Sequence, residues 1–484
     1  MPTLTRLLVA VCVICGAFAS RADAAERWTE VRSPNFRVIT NGSARDAREV
    51  AANFERLQLV LQKTLRIATR SDVPLTIVAV KTGRQLQALL DTTRDDFAGV
   101  FAPGYDANVV LLRLDLEREV RYRVAYHEYM HLIVHQTMGV LPVWLNEGLA
   151  EMYSQANLDT DTILLGMPAD EHLAELQERT LLPLGTLLAV DHGSPHYNET
   201  NRASIFYAQS WALTHFLMLG DGGTHRPKLM AMLKAMDGGA APLDAAMRAF
   251  GDATAFERGF RGYITRYQFP ALKDTVPVRE AANAMQARVL SPAESLALQA
   301  TIAAATGRAD AATTLAADAV AADGTLADAW LAQARALRVR GNTMGAEQAL
   351  EKAMTLGSSD PLAHFGWAEL RMSRVPADHP LTDVRSALEK SLALKPDFAR
   401  AQSLLGFVRA RQERNADSGF ELVKQAILLE PGNARHYLVL ASLLHTSRNY
   451  AEMELVLQRA ERTARGAPEK QRVAETRTRL RPRS

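Results

Sequence analysis

The chain has 484 residues, 48% hydrophobic and 23% charged, with 56 Lys and Arg against 54 Asp and Glu. This globular, charge-balanced composition excludes a disordered chain and leaves no basic surplus to meet nucleic acid, and the length suggests about three units at roughly 150 residues each. Both cysteines, Cys12 and Cys15, lie in the first apolar run. A chain processed beyond that run has neither disulfide nor thiolate ligand, which excludes zinc fingers, thiol peptidases and redox motifs.

Arg6, the small or apolar residues 7–19 and Ala22-Asp23-Ala24 follow the basic, apolar and small-residue order of a secretory signal, with cleavage expected after Ala24. The run is shorter than the roughly 20 residues a membrane-spanning helix needs, and no later segment is long enough. Val11 and Ile14 stand before the cysteines, where a lipoprotein site wants a small residue. The expectation is an exported, soluble protein, periplasmic or secreted, with no transmembrane span once residues 1–24 are removed.

Residues 25–116 read as a small α/β unit: strands at 36–40, 73–81 and 109–114, and an amphipathic helix at 44–65. Residues 99–102 are a candidate edge strand for an extended peptide. From 117 to 270 the periodicity is helical, with apolar stripes at 122–138, 144–154 and 205–219. A polar loop at 191–202 lies before the last of these and is placed to shape a cleft. Residues 271–290 read as a linker.

From 291 to 463 the sequence repeats. Gly307 and Gly341 are 34 apart, as are Ala319 and Ala353; Trp330 and Tyr437 share an aromatic position, and Pro396 and Pro431 end two units. The period resembles the tetratricopeptide repeat, in about five copies. The third carries roughly four extra residues near 375–381 and has His364 at the aromatic position. Residues 464–484 read as a dangling basic tail, with seven basic residues against two acidic ones from Arg465 onward.

The chemistry is concentrated in Tyr126-His127-Glu128-Tyr129-Met130-His131 and in Trp144-Leu145-Asn146-Glu147-Gly148-Leu149-Ala150-Glu151. On a helix, positions i and i+4 lie one above the other, so His127 and His131 can present nitrogens to one cation with Glu128 beside it. A catalytic zinc takes three protein ligands and keeps one open position. His135 lies about 12 Å further along the axis from His127, too far for one ion. In the longer motif with a third histidine, Thr137 stands where that histidine would be. Glu147, sixteen residues after His131, remains.

The pair of motifs resembles the gluzincin metallopeptidases, which include the thermolysin-like and aminopeptidase-N-like enzymes. The resemblance implies an α+β zincin-like metallopeptidase domain in front of the all-α tetratricopeptide-repeat solenoid, and a Zn2+ cofactor held by His127, His131 and Glu147. It further implies Glu128 as general base, Glu151 as the carboxylate orienting a ligand histidine, and Tyr207 as donor to the oxyanion. Gln209-Ser210 stands where the family has Lys-Gly, and no Gly-Ala-Met-Glu-Asn string precedes His127, so aminopeptidase specificity is not supported. The expected partners are a peptide or protein substrate and a protein bound by the repeats, with no nucleic acid. The alternative is a non-catalytic peptide-binding scaffold with a vestigial zinc site.

Overall fold

The computed structural model describes residues 27–481 apart from 68–74, 95–97, 105, 159–161, 198–203, 267, 276–283, 377–378 and 465. The expected signal, 1–24, lies outside the described residues. Six strands form the main sheet in the order β4-β5-β3-β2-β1-β8. They are β1 (Thr29–Arg32), β2 (Arg37–Thr40), β3 (Leu75–Val80), β4 (Gly99–Ala102), β5 (Asn108–Arg113) and β8 (Ala287–Val289). β2, β3 and β5 run parallel, and β4 pairs antiparallel with β5 at one edge. A separate ribbon joins β6 (Thr162–Leu165) to β7 (Leu272–Thr275).

The central strands are apolar on both faces, as strands covered on both sides must be. Leu75, Ile77 and Ala79 of β3 enter one core and Val78 and Val80 the other. Helix α1 (Ala44–Leu65), started by a Ser43–Asp46 capping box, packs on the first face. It carries α3 (Arg118–Thr137) through Phe36, Phe54, Tyr126 and Tyr129, whose rings meet edge-on with centroids 5.5 to 5.9 Å apart. Tyr126, Tyr129, Met130 and Ile133 are thus committed to the core. At 100° per residue this leaves His127 and His131 on the adjoining face.

That face meets α4 (Val143–Ser154), which in turn crosses α7 (Ile205–Leu219). A Cβ at Gly148 would collide with Thr214 Oγ1 and the Ser210 carbonyl, so the glycine of the Asn-Glu-Gly motif lets the two helices approach to backbone contact. His215 ties α7 down: Nδ1 lies 2.7 Å from Tyr263 Oη and Nε2 lies 2.8 Å from the Gly166 carbonyl.

The second face of the sheet is covered by α2 (Gly83–Leu90) and by the first helix of the array, α11 (Pro292–Ala305). Leu298 and Ile302 of α11 share a core with Trp28, Val78, Val80 and Leu111. The stretch expected as a linker, 271–290, supplies β7 and β8, which pair with β6 and β1, so these two segments belong to the domain; their short pairings carry almost no sequence period.

Five helical hairpins follow: α11 with α12 (Ala309–Ala322), α13 (Ala327–Val339) with α14 (Thr343–Thr355), α15 (Pro361–Met372) with α16 (Thr382–Leu394), α17 (Ala399–Glu413) with α18 (Asp417–Leu429), and α19 (Ala434–Thr446) with α20 (Tyr450–Thr463). The extra residues of the third hairpin widen the turn between Met372 and Thr382. Trp330, Gln402 and Tyr437 each donate to a carbonyl six residues earlier, those of Gly324, Pro396 and Pro431, at 2.8 to 2.9 Å. His364 bonds the Ser358 backbone at the same offset. The shared position therefore selects a side-chain donor that closes the turn between hairpins, and aromaticity is secondary to it.

The tail is a further correction. Residues 466–479 form α21 (Gly466–Arg479), which buries Val473 and Thr476, while Leu480 just beyond it is also buried against the last hairpin. The basic residues obscure this stripe in the sequence because they outnumber it.

Two predictions follow from these contacts. Arg414 and Arg448 take the left-handed conformation, φ 50 and 60°, at the hairpin position where Gly307 and Gly341 stand. A left-handed L-residue costs about 1–2 kcal/mol, and glycine returns about 0.4–1 kcal/mol of that through the unfolded chain. Arg448→Gly should therefore stabilise the array by about 0.5–1 kcal/mol in urea unfolding. Burial outweighs the bonds to the Gly166 and Pro270 backbone and lowers His215 to about 4. Between pH 6.5 and 4 the unfolded chain takes up this proton and the folded one does not, so stability present above pH 6.5 is lost on acidification, by about 3 kcal/mol. His215→Gln should flatten that part of the urea-midpoint profile.

Candidate metal centre

His127 and His131 lie one turn apart on α3, and Glu147 and Glu151 one turn apart on α4, so each helix offers two groups across the same interface. The three atoms facing each other are His127 Nε2, His131 Nε2 and Glu147 Oε2. The two nitrogens are 3.0 Å apart, and the carboxylate oxygen is 3.5 Å from the first and 3.4 Å from the second. Ligands tetrahedrally disposed at about 2.0–2.1 Å stand about 3.3 Å from one another, so this triangle has the dimensions of one face of a zinc site. The donors, two imidazoles and a carboxylate, fit the ion as well, and the group could hold a metal. His127 and Glu147 are buried, while His131 keeps 22% of its side chain exposed and opens the site to solvent on that side.

Behind the triangle stands a second layer. Glu151 Oε1 lies 3.1 Å from His127 Nδ1, so Nδ1–H donates to the carboxylate and Nε2 keeps its lone pair toward the centre. Glu151 Oε2 lies 3.0 Å from Nε2 of His172, a buried residue of α5 (Asp170–Glu178). Burial pushes both carboxyls up, but the surrounding imidazoles outweigh it: His127 and His131 hold Glu147 at about 2, and His127 and His172 hold Glu151 well below the ordinary carboxylate range.

Tyr197 donates from its hydroxyl to Glu147 Oε1 at 3.2 Å. Its ring stacks on Tyr207, centroids 6.2 Å apart, and Tyr207 itself is buried in α7 beside Phe206. Sequence reasoning singled out Tyr207 but neither Tyr197 nor His172. Tyr197 lies in the 191–202 loop, whose length and polarity were the available signal; His172 is a lone histidine on a short helix and carried none. His192 and His196 of that loop are exposed.

Glu128 is half-buried next to His127. His135 is taken up elsewhere: a Cβ at Gly432, in the turn before α19, would collide with its carbonyl. The array thus rests on the end of α3. Among the described residues β4 is an edge strand of the sheet, and it packs against α3.

Loss of a carboxylate supporting a ligand histidine typically costs 10–100-fold in metal affinity. Glu151→Gln keeps the volume and removes the charge shared by His127 and His172, so zinc affinity measured against a competing chelator should fall within that range. Unchanged affinity would show that Glu151 plays no part in holding His127.

Residues 58–266 match the Peptidase MA superfamily. None of the curated proteins matches the chain. Solved structures similar to it include YrrB, described as a TPR protein with an unusual peptide-binding site (14% identity, 38% of this chain and 90% of that one, TM-score 0.31). A second is a thermophilic TPR protein of Thermus thermophilus (19% identity, 38% and 99%, TM-score 0.32). A third is the APC/C hetero-tetramer Cut9-Hcn1 (14% identity, 64% and 62%, TM-score 0.32). With the motif pair, the ligand triangle and the profile in agreement, residues 58–266 form a Peptidase MA superfamily domain, followed by a tetratricopeptide-like helical array.

Proposed function

We propose that the protein is an exported zinc-dependent metallopeptidase that hydrolyses peptide bonds with water as nucleophile and uses its repeat array for protein interaction. The observation that carries this reading is the convergence of His127, His131 and Glu147 on one point with Glu151 in place behind His127. A vestigial site in a binding scaffold has no need to keep the ligands and their buried support together.

Bound by those three residues, zinc would polarise the scissile carbonyl and lower the pKa of a water molecule toward neutrality. Glu128, adjacent to His127, takes the proton of the attacking water and passes it to the leaving amine. Glu151 holds His127 in the tautomer that keeps Nε2 available. β4, as an edge strand, offers backbone groups for an extended substrate alongside α3. Tyr207 donates to the oxyanion by resemblance; the Tyr197 hydroxyl, held on Glu147, is the second candidate for that role because it already faces the ligand set.

The purified protein should contain about one zinc per chain, as three ligands around one open position require. Glu128→Gln should retain the metal while hydrolysis of a peptide substrate falls by about 10²–10⁴. A wild-type protein free of zinc at neutral pH, or undiminished activity in the variant, would sink the proposal. Tyr197→Phe and Tyr207→Phe, assayed side by side, identify the oxyanion donor as the one whose loss lowers kcat without raising KM. Comparing envelope proteins from cells carrying wild-type or Glu128→Gln protein tests both export and substrates.

A further inference from the structure

The last helix, α21, packs on α19 and α20, where a sixth hairpin would begin. Between α17, α19 and α21 is a recess of about 430 Å³. Its floor is apolar: Leu404 and Phe407 from α17, Leu438 and Val439 from α19. Its rim is basic. Arg472 and Arg479 of α21 are exposed and have no acidic partner among the described residues, whereas Arg435 on the opposite wall is engaged by Glu369 at 3.1 Å and Arg477 by Glu454 at 2.8 Å.

Seven residues separate the two free arginines, two helical turns, so they share one face about 10 Å apart along the axis. A single carboxylate cannot reach both, but in an extended peptide residues i and i+4 point to the same side about 13 Å apart, within reach of both flexible guanidinium groups, and residue i+2 points the same way between them. Glu475 stands between them on the same face and accepts from Gln471 Nε2 at 2.8 Å. It repels a third carboxylate at the middle and selects uncharged residues there, above the apolar floor.

We propose that this recess is a docking site for an acidic peptide segment in which two carboxylates, four residues apart, flank an apolar residue that shares their face. The carboxylates pair with Arg472 and Arg479, and the apolar side chain enters the floor formed by Leu404, Phe407, Leu438 and Val439. An anionic membrane is the less suited partner, because the two cations edge a recess between helices and the apolar surface lies inside it. The site lies apart from the metal centre; the proposal rests on the reading of the array as a protein-interaction surface and is independent of the reading of the centre as a peptidase.

The test uses the full protein in EDTA, so that hydrolysis plays no part, and a fluorescein-labelled synthetic peptide Gly-Ser-Glu-Ser-Phe-Ser-Glu-Ser-Gly read by fluorescence anisotropy. The expected result is saturable binding that weakens with added salt, is absent for the counterpart with Gln in place of both Glu, and is at least about tenfold weaker in R472E/R479E. R472K/R479K should restore most of it. Both side chains are exposed, so an unchanged melting temperature will show that the variants are folded. The proposal is overturned if the peptide does not bind, if the Gln peptide binds equally, or if R472E/R479E binds as well as wild type. It is also overturned if vesicles of phosphatidylglycerol retain the protein through these arginines while the peptide does not compete.

Discussion

Two carboxylates and three imidazoles share one buried interface between α3, α4 and α5, and much of the domain is arranged around making that tolerable. An unpaired buried charge is among the costliest features a fold can carry. Here Glu147 faces His127 and His131, while Glu151 is divided between His127 and His172. Removing either carboxylate would leave two imidazoles without the carboxylate that faces them. The aromatic cluster that locks α3 to α1 and the backbone contact of α4 with α7 at Gly148 keep the two helices at the separation this pairing needs.

The array is joined to the domain that precedes it as part of that domain's core. Leu298 and Ile302 of the first array helix cover a sheet face that would otherwise expose Val78, Val80 and Leu111. Further along, Arg338 reaches Asp106, Gly432 rests on the end of the ligand helix at His135, and Arg459 meets Asp237 near the end of α8 (Arg226–Asp237). The solenoid is therefore held at its first, second and last hairpins.

Much of the fold was legible because it is periodic. Helix α1 spans the segment its apolar stripe marks, and α7 does the same. The hairpin glycines 34 apart prove to be residues of positive φ, which is why the spacing recurs. Where Arg414 and Arg448 replace them the signal disappears although the conformation does not. The aromatic position was legible as a recurrence but not as a function, since only the structure shows Trp330, His364, Gln402 and Tyr437 bonding to the same upstream turn.

The sequence by itself paired His127 with His131 and Glu147 with Glu151, because an i,i+4 spacing is converted by a helix directly into a shared face; that the two pairs meet was implied by the family resemblance alone. It also determined the repeat, because its period persists over five copies. Only the tertiary structure decided that residues 272–275 and 287–289 complete two sheets, that the basic tail folds into a helix, and that Tyr197 and His172 join the centre. Each of these rests on contact between segments far apart in the chain, Tyr197 with Glu147 across 50 residues and His172 with Glu151 across 21, and local periodicity carries no record of such pairings.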